Sequence, residues 1–118
     1  MEGVAFQVVW KMQKFKTKPS KEGLKLAGGA AKSPLWCQMV ADISGLPVRI
    51  PEVADLACVG AAVLAGVGCG LFKDAAEGYA RLAVKEQVLL PGPAQSAVYQ
   101  KLFEEYKAHA RQLACVYE

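Results

Sequence analysis

Apolar positions recur at helical spacing near the start of the chain, with Val4, Ala5, Val8, Val9 and Met12 along one face. Phe6 and Trp10 add a second apolar strip, so a helix over residues 3–14 is expected to be buried on two sides. The stretch "KTKPSKEG" breaks it, through Pro19 and Gly23. "LKLA", residues 24–27, then forms a short strand that runs into two glycines. Ser33-Pro34 announces a helix, with serine as N-cap and proline at the first helical position. Leu35, Trp36, Met39, Val40 and Ile43 form its apolar stripe, and Gly45 fits the left-handed position just past its end. "LPVRIPE" is a second short strand, with Val48 and Ile50 on one face. "VADLACVGAAVLAGVGCGLF" runs through a helix of small residues, which lets a neighbour approach closely, and "GVGCG" marks its end and a tight turn. A short helix follows over residues 74–84, "VLLPGPAQ" reads as a loop, and residues 95–114 form a long closing helix. Val98, Tyr99, Leu102, Phe103, Tyr106 and Leu113 face inward on that helix, while Lys101, Glu104, Glu105, Lys107 and Arg111 are solvated.

The predicted order is helix, strand, helix, strand, helix, helix, helix. A strand–helix–strand unit favours a parallel pair with a right-handed crossover. Parallel sheets are normally larger than two strands and covered on both faces. The fold class is therefore α/β, with short parallel strands covered by helices, and the sheet is expected to be part of a larger one.

Composition narrows the classes. The chain has 118 residues, 53% hydrophobic and 21% charged, which suits one small domain with a packed core. A net charge of +3 is mild, and the lysines of "KMQKFKTKPSKEGLK" are most simply a solvated helix end and loop, so no nucleic-acid partner is expected. Cys37, Cys58, Cys69 and Cys115 show no C-x-x-C spacing and His109 is the lone histidine, so no metal site is expected. Their apolar contexts favour buried free thiols in a reducing cytoplasm. Leu56 to Phe72 carries no charge, but it is glycine-rich and short of the ~20 residues a membrane span needs. "MEGVAFQVVWKM" has no basic leader of a signal peptide.

The candidate chemistry lies in "GGAAKS". It imitates a phosphate loop, but G-x-x-x-x-G-K-[ST] fails at both glycines, where Leu26 and Ala31 stand. G-x-G-x-x-G fails as well, because Gly28 is followed directly by Gly29. What remains is a strand, Gly-Gly-Ala and a capped helix. Glycines at a strand end let a ligand approach the backbone, and a helix start offers unpaired N–H groups. The same residues also fit a plain tight turn in which Ser33 is only a cap, and the residues by themselves leave both readings open.

"EGVAF", "LAGGAAKSPLWCQMVADISGLPV" and "GAAVLAGVGCGLF" follow one another at the spacing seen in FGGY carbohydrate kinases. The Pro-rich loop and aromatic helix of "LLPGPAQSAVYQKLFEEY" close the chain as in that family. The chain thus resembles FGGY carbohydrate kinases from residue 2 to about residue 110, and among them the xylulokinase-type pentulose kinases.

The resemblance implies a partial ribonuclease-H-like (actin-like ATPase) domain. Residues 1–118 would be the C-terminal part of the second kinase domain, a single incomplete domain. The opening "MEGVAF" is expected to continue a helix whose earlier part lies in a missing N-terminal kinase portion. The implied function is the adenosine side of an ATP-dependent sugar kinase, with ATP and Mg as cofactors of the intact enzyme and a pentulose such as xylulose as acceptor. Gly28, Gly29 and Ala30 match the family's turn beside the adenosine, Ser33 falls where members often contact adenine, and Lys32 is adjacent. The helix of Gly60, Ala61 and Ala62 would pack close behind the site. No catalytic residue is carried over: Asp42, Asp55 and Asp74 belong to helix ends and none matches the catalytic aspartate. The fragment is expected to be inactive alone. The alternative is a non-catalytic module that self-associates or docks on the kinase remainder.

Overall fold

The computed structural model describes residues 1–15, 22–53 and 55–114, the last without its side chain. The predicted break after the first helix, its lysine cluster around Pro19, and Cys115 lie largely outside these residues. The elements are α1 (Glu2–Gln13), β1 (Leu24–Lys25), a 3₁₀ turn (Gly29–Lys32), α2 (Pro34–Ser44), β2 (Val48–Pro51), α3 (Leu56–Gly68), α4 (Ala75–Arg81), β3 (Glu86–Leu89) and α5 (Pro93–Ala114).

Helix α2 forms where local chemistry says it should. Ser33 Oγ accepts from the Trp36 N–H at 3.3 Å, Pro34 occupies the first turn, and Gly45 closes the helix at φ 67°. Met39, Val40 and Ile43 are buried, joined by Cys37 and Ala41. β1 and β2, on either side of α2, pair in parallel as expected. The sheet nevertheless has three strands in the order β1-β2-β3, because Glu86–Leu89, read partly as loop, pairs antiparallel with β2. Its burial does not alternate, since Glu86 and Leu89 are half-buried and Gln87 and Val88 are both exposed. Gln87 lies opposite Ile50 on the α2 side, while Val88 lies opposite Arg49 and is exposed. Pairing with β2 defines this strand, not its own pattern.

The core sits between α2 and the helices α1 and α5. Phe6 stacks on Phe103 at 5.6 Å between ring centroids and meets Tyr106 at 5.3 Å. The Tyr99 hydroxyl donates to Glu2 Oε1 and the Tyr106 hydroxyl to Gln7 Oε1, both at 3.1 Å. Burial covers only one side of α1: Ala5, Phe6 and Val9 are inside, while Val4 and Val8 are exposed. Val98, Leu102 and Leu113 of α5 are exposed as well, so its inner face narrows to Phe103 flanked by half-buried Tyr99 and Tyr106. Two thiols depart from expectation too: among the described residues Cys58 and Cys69 are exposed and Cys37 is buried.

Helices α3 and α4 pack on each other. Phe72 fits between them because a Cβ at Gly66 or Gly78 would come within 2.4 Å or 2.8 Å of its ring. Val63 and Phe72 lie outside the main core cluster. The radius of gyration is 17.6 Å, against about 13–14 Å for a compact chain of this length. Among the described residues, no helix is long and apolar enough to cross a membrane.

Asp42 is buried and acts as a clamp. Its Oδ1 accepts from the Gly92 N–H at 2.7 Å and from Gln38 Nε2 at 2.9 Å, and Gln38 also donates to the Leu90 carbonyl at 2.9 Å. Asp42→Ala leaves the Gly92 N–H without its acceptor and should cost about 1–3 kcal/mol, with Asp42→Asn costing less. Urea unfolding of the two variants measures this.

The far face of the sheet carries an ionic ladder across all three strands. Lys25 Nζ lies 2.6 Å from Glu86 Oε1, and Arg49 Nε lies 2.7 Å from Glu86 Oε2. The second contact is close but not aligned as a hydrogen bond, so it acts through charge. The Lys25 hydrogen bond holds the Glu86 carboxyl below the usual carboxylate range, against an opposing push from burial. Because the folded value is depressed, this contribution is present above about pH 4.3 and lost as pH falls through the folded value. Glu86→Gln should therefore lower stability at neutral pH and flatten the acid limb of the stability–pH curve, measured by denaturant titration at several pH values.

Candidate functional site

The carboxyl ends of the parallel pair β1 and β2 open into a cleft of about 660 Å³. Ligands in α/β sheets favour this position, and the volume falls in the ligand-pocket range of about 300–1,000 Å³. One wall is the chain leaving β1, with Gly28, Gly29 and Lys32. The opposite wall is the chain leaving β2 and the first turn of α3, with Glu52, Asp55 and Ala57.

Gly28 stands at φ 83°, ψ −164°, a region that essentially only glycine occupies, and this bends the chain from β1 into the 3₁₀ turn. Gly29 is different. It lacks a positive φ, and a Cβ there would meet nothing within 4 Å. Neither backbone geometry nor packing requires a glycine at Gly29, yet it lines the cleft.

Of the five candidates, Gly28, Gly29 and Lys32 come together on one wall. Ala30 is exposed but does not line the cleft. Ser33 is half-buried beyond it, and its Oγ is occupied as the cap of α2. Beneath the turn, the Cys37 thiol lies 3.5 Å from the Ala31 carbonyl, which ties α2 to the 3₁₀ turn. Burial pushes that thiol up in pKa, so it stays protonated and unreactive.

Sequence reasoning missed the opposite wall. Asp55 caps α3, accepting from the Ala57 N–H at 2.7 Å. Its place near a helix start was legible, but its place across a cleft from Gly28 was not. Asp74 likewise caps α4, accepting from the Glu77 N–H at 2.8 Å. α3, the helix that carries Gly60, Ala61 and Ala62, reaches the cleft through its first turn, while those three residues themselves are exposed. Among the described residues, no group of three metal-ligating side chains converges.

The arrangement offers a glycine-bared backbone, one lysine and a helix start facing each other across a groove. It provides a surface for a flat or extended ligand, with the carboxylates of Glu52 and Asp55 on the wall opposite Lys32. Residues 1–69 match the C-terminal domain of the FGGY family of carbohydrate kinases. The chain is 38% identical over 96 residues to an autoinducer-2 kinase of Enterobacter sp. (strain 638), covering 80% of this chain and 18% of that protein. It is 42% identical over 85 residues to an autoinducer-2 kinase of Escherichia coli O9:H4 (strain HS), covering 72% of this chain and 16% of that protein. The ligand-bound xylulose kinase structure from Lactobacillus acidophilus superposes with a TM-score of 0.80 at 26% identity, over 96% of this chain and 23% of that one. The chain thus spans less than a fifth of the length of these curated relatives.

Proposed function

This chain belongs to the FGGY family of carbohydrate kinases, and on that premise we propose that it is the adenosine-side part of the second domain of an ATP-dependent sugar kinase. The intact enzyme would transfer the γ-phosphate of ATP, with Mg, to a sugar hydroxyl. Gly28 and Gly29 would bring bare backbone against the nucleoside, Ala30 and Ser33 would shape the turn and the start of α2 around it, and Lys32 would face the groove. The observation that carries this reading is Gly29, a cleft-lining glycine that no turn or neighbour requires. The cleft volume also suits a nucleoside.

Phosphoryl transfer needs a base or orienting residue and positioned charge around the γ-phosphate. Lys32 is the one cation of the cleft among the described residues, and Glu52 and Asp55 oppose it. The catalytic machinery would therefore come from the rest of the kinase. The uncovered apolar faces agree with this. α3 has no charged residue, yet only Val63 and Gly66 are buried, and Val4 and Val8 of α1 stand open. A helix that is apolar all round is normally covered. For the acceptor, both kinds of relative supply a candidate, autoinducer-2 kinases at 38–42% identity and a xylulose kinase at 26%.

The isolated chain should show no turnover. A coupled ADP-release assay with Mg·ATP and either xylulose or autoinducer-2 should stay at background, and sustained turnover would sink the proposal. Titration calorimetry with ADP addresses the site itself. Gly29→Val, at a position where a Cβ meets nothing within 4 Å, should weaken binding at least tenfold. Equal affinity in both proteins, or no binding by the unaltered chain, counts against an adenosine site here.

A further inference from the structure

We propose that Tyr79 is a latch that fastens the α3–α4 hairpin to the outer face of the sheet and so sets the width of the cleft. The hairpin holds itself together. Phe72 is wedged against Gly66 and Gly78, and Arg81 pairs with Glu77 at 2.8 Å. Among the described residues, its small apolar centre at Val63 lies outside the main core cluster that covers the other face of the sheet.

The side-chain hydrogen bonds that leave the hairpin, among the described residues, both converge on Tyr79. Lys25 Nζ of β1 donates to its hydroxyl at 3.4 Å, and the hydroxyl donates to Glu86 Oε1 of β3 at 3.5 Å. Lys25 also lies 4.8 Å from the centre of the Tyr79 ring, within cation–π range. One phenol thus touches both edge strands of the sheet through the ionic ladder. Its ring is half-buried, and Gly78 beside it is buried against Phe72, so a shift at Tyr79 passes into the hairpin as a unit.

The other end of the same unit forms the cleft wall at Asp55–Ala57, facing Gly28 and Lys32 on the body. Downstream of α4, Ala83 holds φ 44°, a left-handed conformation that a non-glycine residue adopts only when its surroundings impose it. The latch and this bend together hold the hairpin at one angle. The inference does not depend on which ligand the cleft takes.

The test uses the whole chain and no nucleotide. Spin labels go on the native Cys58 of α3 and on a Leu35→Cys substitution at the exposed start of α2, with Cys69 and Cys115 replaced by serine. Pulsed electron–electron double resonance should give one narrow distance in the parent. Tyr79→Ala should lengthen and broaden it at least twofold in width, and Tyr79→Phe, which removes only the hydroxyl, should do so partially. Fluorescence of Trp10 and Trp36 should show the body still folded. Unchanged distributions in both variants would overturn the latch. If Tyr79→Ala fails to fold, the Tyr79→Phe distribution decides alone.

Discussion

The buried carboxylate of Asp42 is the constraint on which the rest of the arrangement depends. A charged group that has left water must find donors, and the Gly92 N–H and the Gln38 amide supply them. Those donors lie on the chain that enters α5 and on α2 itself. Satisfying one charge therefore fixes where α5 begins relative to α2. That starting point in turn lets Phe103 reach Phe6 and closes the core over α1. Gln38 reinforces it by holding the Leu90 carbonyl, so β3 enters α5 along a single path.

The two faces of the sheet follow different rules. Toward α2, Val48, Leu24, Ile50 and Leu89 pack against the core, and the hydrophobic effect sets the register. On the other face, Lys25, Arg49 and Glu86 form a charged ladder that needs no apolar cover. An exposed ion pair contributes little by itself, but a network spanning three strands also gives geometry. The body is thus held by packing on one side and is approached by polar contacts on the other. The cleft opens where these regimes meet, at the carboxyl ends of β1 and β2.

What was legible in the sequence was local. Ser33, Pro34 and Gly45 specify α2 within one turn of each boundary, and the strand flanking it on each side was readable from short apolar runs. Asp42 was legible only as an acid near a helix end, because its partner Gly92 is 50 residues away. β3 was hidden because Gln87 and Val88 are both exposed, so the strand shows no in-and-out alternation for a sequence pattern to match. On α1 the second strip, Phe6 and Trp10, is covered at least in part, whereas Val4 and Val8 of the first strip are exposed among the described residues. At the cleft, the Gly28–Gly29 wall announced itself as a motif. The Asp55 wall did not, because a helix cap has the same sequence signature wherever the helix points. The family resemblance was legible from motif order, while the preference for xylulose over other sugars was not carried by these residues.

The pairing of α1 with α5 also sets the order of events during synthesis. Gln7 and Tyr106, which share a hydrogen bond, are 99 residues apart, and Glu2 and Tyr99 are 97 apart. Contacts of such long range form only after the closing segment has been made, and their loop-closure entropy slows the search. Until α5 has been made, α1 has only α2 to pack on, and Phe6 and Trp10 lack their aromatic partners. A nascent chain that stalls before α5 would present Phe6 and Trp10 to whatever binds exposed aromatic helices.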